Sequence, residues 1–181
     1  LLHALKIDFD LFRSSLYSNK YSELYKCRFN ISNNTKILIN ESYVESCTFI
    51  LNTILTSYIL NIPYNKVYND EIKFTILQCN KILRFYKVNN IHNFYSKVTC
   101  YSDNKNWVEK TSILCYFIFK LFLVYYPEKF INELMFRNKI TEEIIYEYII
   151  DNIDNIIDEI DCKGDLDTNT LKMTLYEIGY I

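Results

Sequence analysis

"NWVEKTSILCYFIFKLFLVYYP", residues 106–127, decides how this chain folds. From Ile113 to Tyr126 the only charged residue is Lys120. A helix on a protein surface needs a polar face, and this one would expose half its aromatic side chains to water. Crossing a membrane takes about 20 consecutive apolar residues, and this run is shorter, with a lysine in its middle. The stretch therefore predicts a helix covered on most sides by other helices. Asn106 and Glu109 are placed as a cap pair at its start and Pro127 stands at its end. The expected fold is all-α: a single bundle of about seven or eight helices packed around a central apolar helix over 107–126.

The flanking segments repeat apolar residues near the 3.6 period of a helix. Leu5, Phe9, Phe12 and Leu16 share one face of the segment 1–18, and a short piece follows around Tyr21 to Phe29. "NISNNTKILIN", residues 30–40, reads as a loop with a brief strand at Ile37 to Ile39. Ser42-Tyr-Val-Glu45 has the spacing of a capping box and predicts a helix from Ser42 to about Leu60, ahead of Pro63. Carboxylates at Asp70 and Glu71 suit the positive end of the next helix, which is expected to bury Ile72, Ile76, Leu77, Leu83 and Phe85. A shorter helix is expected over Ile91 to Cys100. Thr141-Glu-Glu predicts another helix start, after which Ile145, Ile149, Ile153, Ile156 and Ile160 form a stripe opposite Glu143, Glu147, Asp151, Asp154 and Asp158. No linker rich in Pro, Gly or Ser divides the chain. One helical domain over 1–181, ending in an acidic helix-turn-helix over 141–181, is the expected organisation.

Composition narrows the function classes. Aromatic residues make up 17% of the 181, far from the signature of disorder. The bias towards Ile, Asn, Lys and Tyr is that of AT-rich coding, as in some parasites and large DNA viruses. The six cysteines are widely separated, without a C-x-x-C pair, and only His3 and His92 could complete a metal set. No metal or other cofactor is expected. Cysteines inside apolar stretches read as small buried hydrophobes, which points to a reduced, cytoplasmic chain. Three Asn-x-Ser/Thr triplets, at Asn30, Asn33 and Asn40, keep secretion as the alternative. Residues 1–140 carry 18 Lys/Arg against 11 Asp/Glu, and residues 141–181 carry 2 against 11. The acidic end is expected to fold on the basic body. The basic residues are scattered singly, without the clustering of a nucleic-acid footprint, so no nucleic-acid partner is expected.

Catalytic constellations fail on inventory. Both glycines, Gly164 and Gly179, lie near the C-terminus, which excludes a dinucleotide fingerprint, a P-loop and a nucleophile elbow elsewhere. Neither histidine stands in a motif with Ser or Cys, and no catalytic residue is assigned. An enzyme of another class remains an alternative to a binding module.

Two stretches resemble known families. Gly164, Leu166, Leu171, Leu175, Ile178 and Gly179 are similar to the second half of an EF-hand. Placing Gly164 at the sixth loop position puts Glu159, Asp161, Lys163, Asp165, Asp167 and Thr170 at the six ligand positions. An ammonium at the fifth and a hydroxyl at the twelfth do not coordinate calcium, so the resemblance implies a calcium-insensitive regulatory or scaffold domain. Asn106-Trp107 followed by a long apolar helix resembles the box that opens the central helix of Bcl-2-like proteins, a family with viral members. Val108 and Glu109 replace the Gly and Arg of that box. That likeness implies a helical regulator of host signalling or apoptosis that binds an amphipathic helix of a partner protein in an apolar groove. The groove is expected between helix 42–60, helix 70–88 and the start of the core helix, lined by Trp107, Phe74, Leu77, Lys81 and Arg84.

Overall fold

Apolar residues at helical spacing, punctuated by two prolines and one left-handed asparagine, produce six α-helices among the residues that the structure, a computed structural model, describes: 19–88, 91–97, 107–108, 112–160 and 171–176. These are α1 (Asn19–Arg28), α2 (Ile39–Leu60), α3 (Tyr64–Phe85), α4 (Lys120–Val124), α5 (Pro127–Phe130) and α6 (Glu142–Ile156). Leu114–Phe119 are π-helical turns leading into α4, and Ile131–Met135 are similar turns continuing α5. The chain is all-α. In place of strands the described residues have two isolated bridges, Phe29 with Tyr95 and Ile31 with Trp107. The expectations for segment 1–18, for the cap pair Asn106 and Glu109, and for residues 161–170 and 177–181 lie outside the described residues.

Several helix ends differ from the sequence expectation. α2 begins at Ile39, three residues before Ser42, so Ser42 is inside the helix, where its carbonyl accepts from the Ser46 hydroxyl at 2.7 Å. Ile37 to Ile39 therefore form no strand; Ile39 is buried in the first turn of α2. The helix stops where Asn61 adopts φ 52, a left-handed turn that asparagine tolerates better than most residues. The amides of Asn61 and Ile62 then cap the Ser57 carbonyl. Pro63 follows and serves as the N-cap of α3, which starts at Tyr64, so Asp70 and Glu71 fall in its second turn instead of at its end. A proline supplies a helix start without needing an amide partner, which outweighs the weaker carboxylate signal. Thr141 caps α6 as its sequence predicts, its hydroxyl accepting from the Ile144 amide at 3.3 Å.

Trp107 does not open the apolar helix. Its backbone pairs with the segment Asn30–Ser32, donating to the Asn30 carbonyl and accepting from the Ser32 amide. Its ring stacks on Tyr86 at 3.9 Å. Of the helix expected over 91–100, the described residues 91–97 form only a 3-10 turn, Ile91–Asn93, because Tyr95 is drawn into the bridge with Phe29.

The core is aromatic. Phe29 is enclosed by the rings of Phe94, Tyr95, Phe119 and Phe122 at 5.0 to 6.2 Å, and Tyr25 lies 4.9 Å from Phe119. Such ring pairs contribute about 0.5–1.5 kcal/mol each beyond their buried area. Leu114, Cys115 and every residue from Phe117 to Val124 are buried, as is the isoleucine stripe of α6. The acidic side of α6 meets the body through Lys97, paired to Asp154, and in the 3-10 turn that follows, Ile157–Glu159, Asp158 lies 4.0 Å from His92. Cys47, Cys79 and Cys115 are buried thiols. Cys27 is disulfide-bonded, so the expectation of a fully reduced chain fails at that residue.

Candidate functional site: the groove between α2 and α3

The second half of α2 has no charged residue from Thr48 to Leu60 and is apolar on both faces. Phe49, Ile50, Thr53 and Thr56 turn into the core. Leu51, Ile54, Leu55, Tyr58 and Ile59, spaced one helical face apart, are exposed, with Tyr58 at 84%. Contiguous exposed apolar surface of this kind marks interaction sites on soluble domains. The helix forms despite its β-branched residues because the opposite face is packed on the core, and tertiary packing overrides propensity.

Beside this stripe, residues 171–176 cross from α2 to α3. They adopt no helix, in contrast to the exit helix expected after Gly164. Asn52 of α2 donates to the Thr174 hydroxyl at 3.4 Å. On α3, Glu71 is 1% exposed and its carboxylate accepts from the backbone amides of Leu175, at 3.1 and 3.0 Å, and of Tyr176, at 3.0 Å. The Thr174 hydroxyl donates to the same carboxylate. Two turns further along α3, Gln78 accepts from the Lys172 amide at 3.3 Å. One residue before Glu71, Asp70 accepts from the Tyr176 hydroxyl and from Lys66, both at 2.9 Å. The Lys66 and Tyr176 hydrogen bonds hold the Asp70 carboxyl below its ordinary range, and the same bond raises the Tyr176 phenol.

Beneath this segment a cavity of about 210 Å³ is lined by Glu45, Thr48, Phe49, Asn52, Lys120, Met173 and Thr174. Lys120, the lone charge of the apolar run, is 2% exposed. Its Nζ lies 5.6 Å from the Phe49 ring and 5.5 Å from that of Phe117, and among the described residues no hydrogen bond or ion pair reaches it. Burial lowers its affinity for a proton, opposed by the charges of Glu45 and Glu71. A second cavity, of about 490 Å³, lies between α5 and α6. Two of its polar groups satisfy each other, Lys129 donating to Asn152 at 2.8 Å. Among the described residues no three His, Cys, Asp or Glu side chains converge as a metal site would require.

The residues expected to line a groove divide into two sets. Phe74, Leu77, Lys81 and Arg84 share one side of α3 by their spacing. Leu77 is exposed, against the expectation that the helix buries it, because it lies five positions on from Ile72, outside the buried arc of Val67, Ile72, Cys79 and Ile82. Phe85, also expected inside, is the last helical residue and 74% exposed. Phe74, Lys81 and Arg84 are half-buried. Trp107 stands apart from them: at 1% exposure between Tyr86 and Phe94 it belongs to the core and offers no accessible surface. Glu71, Gln78 and Lys120 carry the groove's polar chemistry, and sequence reasoning did not single them out for it. The one available signal was a helix that places Glu71, Thr75 and Gln78 on its apolar side. No family profile, characterised protein or solved structure matches this chain.

Proposed function

We propose that this chain is a non-catalytic helical interaction module that receives an amphipathic helix of a partner protein along α2. The observation that carries the reading is the exposed stripe Leu51, Ile54, Leu55, Tyr58 and Ile59, whose spacing matches what a second helix would pack against. Exposed Lys73, with Lys81 and Arg84, lies on neighbouring α3, where basic side chains would favour an acidic face on that helix. The domain in this reading is a bundle of seven or eight helices organised around the apolar segment that ends at Tyr126. A buried segment of that kind supplies a rigid support for α2. This is the arrangement that the Bcl-2-like resemblance implies, with a regulator of host signalling or apoptosis as its functional counterpart.

Labelled amphipathic peptides of about 20 residues, with acidic polar faces, test the reading by fluorescence anisotropy, since buried Trp107 is a poor reporter. Saturable binding is expected for peptides with an intact apolar face and not for scrambled ones. Leu55→Glu and Tyr58→Glu should abolish binding while shifting unfolding free energy by under about 0.5 kcal/mol, as for other exposed positions. Absence of saturable binding across the panel, or binding indifferent to both substitutions, refutes the assignment.

A further inference from the structure

The contacts of residues 171–176 are the reverse of those made by a segment packed for stability. Thr174 and Tyr176 are turned towards α3 and part-buried, whereas Leu171, Met173 and Leu175 are exposed. What holds the segment is recognition of its main chain and hydroxyls: the amides of 172, 175 and 176 end on Gln78 and Glu71, and the Tyr176 hydroxyl ends on Asp70. Recognition through main-chain amides does not depend on which side chains stand at 171, 173 and 175. A peptide-binding surface reads an extended ligand in this way, with backbone bonds for affinity and alternate side chains for specificity.

A second observation concerns the floor. A carboxylate buried to 1% exposure is costly unless its hydrogen bonds are made, and the segment supplies Glu71 with three donors. The cavity under Met173 and Thr174, with the Lys120 ammonium on its wall, leaves room for a longer acceptor-bearing side chain than the resident one. The groove is thus built to hold an extended chain, and its present occupant satisfies the carboxylate of Glu71 without reaching the amine of Lys120.

We propose that the polar row Asp70–Glu71–Gln78 of α3 is a binding site for an extended segment of a partner protein. Its ligand carries a hydroxyl residue and, two positions on, a tyrosine, with any residue that keeps its amide between them, and residues 174–176, Thr-Leu-Tyr, are its resident, exchangeable occupant. The resident copy belongs to the same chain and competes intramolecularly, at a high effective concentration, so the site opens to a partner only when the resident segment leaves. This site differs from the helix-binding stripe of α2: its carboxylate and amide acceptors are on α3, α2 contributes Asn52, which is not part of the stripe, and Leu55→Glu or Tyr58→Glu leaves it unchanged.

The probe is a fluorescein-labelled peptide with the sequence of residues 168–178, TNTLKMTLYEI, titrated into the full chain. Leu175→Pro in the chain removes the amide that donates to both Glu71 oxygens, at a position outside every helix. That chain is expected to bind the peptide at least about tenfold more tightly than the wild type, with its resident competitor unseated. Adding Glu71→Ala to Leu175→Pro is expected to remove the binding. Should Leu175→Pro fail to give the wild-type helical spectrum, the double substitution Thr174→Val with Tyr176→Phe replaces it, with a smaller gain of the same sign. Equal affinity of wild-type and unseated chains, absence of binding to both, or binding that survives Glu71→Ala overturns the proposal.

Discussion

Replacing Lys120 with methionine should stabilise this protein at neutral pH. The side chain is 2% exposed, and its Nζ has two aromatic faces within 5.6 Å but no carboxylate within ion-pairing distance among the described residues. Two desolvated cation–π contacts contribute roughly 1–2 kcal/mol each. The effective penalty for burying an ammonium is several kcal/mol after relaxation. Methionine keeps the length and polarisability of the chain against Phe49 and Phe117 and removes the charge. The net expectation is a gain of about 1–3 kcal/mol at pH 7, which for a chain of this size raises Tm by roughly 2–10 °C. The pH dependence gives a second readout. Burial lowers the Lys120 pKa, so above that lowered value the unfolded chain binds the proton more readily than the folded one. Wild-type stability therefore rises with pH from the lowered pKa towards the ordinary lysine value of about 10.4, and the advantage of methionine shrinks over that window. Thermal melts followed by circular dichroism at pH 7 and pH 10 measure both effects. A loss of more than about 1 kcal/mol in Lys120→Met at pH 7, with no narrowing at pH 10, would show that the ammonium is partnered and the reasoning wrong.

Phe119→Ala removes a fully buried ring in contact with Tyr25 and Phe29 and should cost about 3–5 kcal/mol in denaturant unfolding; a cost under 1 kcal/mol would remove Phe119 from the core. Thr141→Ala loses the cap of α6 and should cost about 1 kcal/mol, with Thr141→Ser restoring most of it; equal stability of the two variants would deny the cap. The Asp70 anchor of Tyr176 has a defined acid limit. Lys66 and Tyr176 hydrogen-bond its carboxylate, and Lys73 adds positive charge, so its pKa lies below the usual value of about 3.9. Its contribution is complete above that value and lost as pH falls through the lowered one. The ring proton shifts of Tyr176, whose hydroxyl donates to Asp70, should therefore stay constant from pH 7 to pH 5 and move only below about 3.9; a change between 7 and 5 contradicts this anchoring.

Features whose cause is local were legible in the sequence, and features whose cause is distant were not. The all-α class followed from apolar spacing, the start of α6 from Thr141 and two glutamates, and the buried stripe of α6 from isoleucines at three- and four-residue intervals. Each signal lies within about five turns of one helix, where side-chain direction follows from backbone geometry alone. The start of α2 was misread because Ser42 and Glu45 have capping-box spacing, yet the turn from Ile39 to Ser42 is packed on the core, and burial of Ile39 and Tyr43 outweighs a cap of about 1 kcal/mol. Trp107 was expected to open the apolar helix and line a groove. The backbone of residues 30–32, some 75 positions earlier in the chain, pairs with it instead and closes Tyr86 and Phe94 over its ring. Glu71 shows the division most plainly. In sequence it is one more acid near the start of a helix, but its amide partners at Leu175 and Tyr176 are separated from it by 104 and 105 positions. A hydrogen bond between such positions leaves no periodicity to read, because only the path of the folded chain brings its donor and acceptor within 3.0 Å.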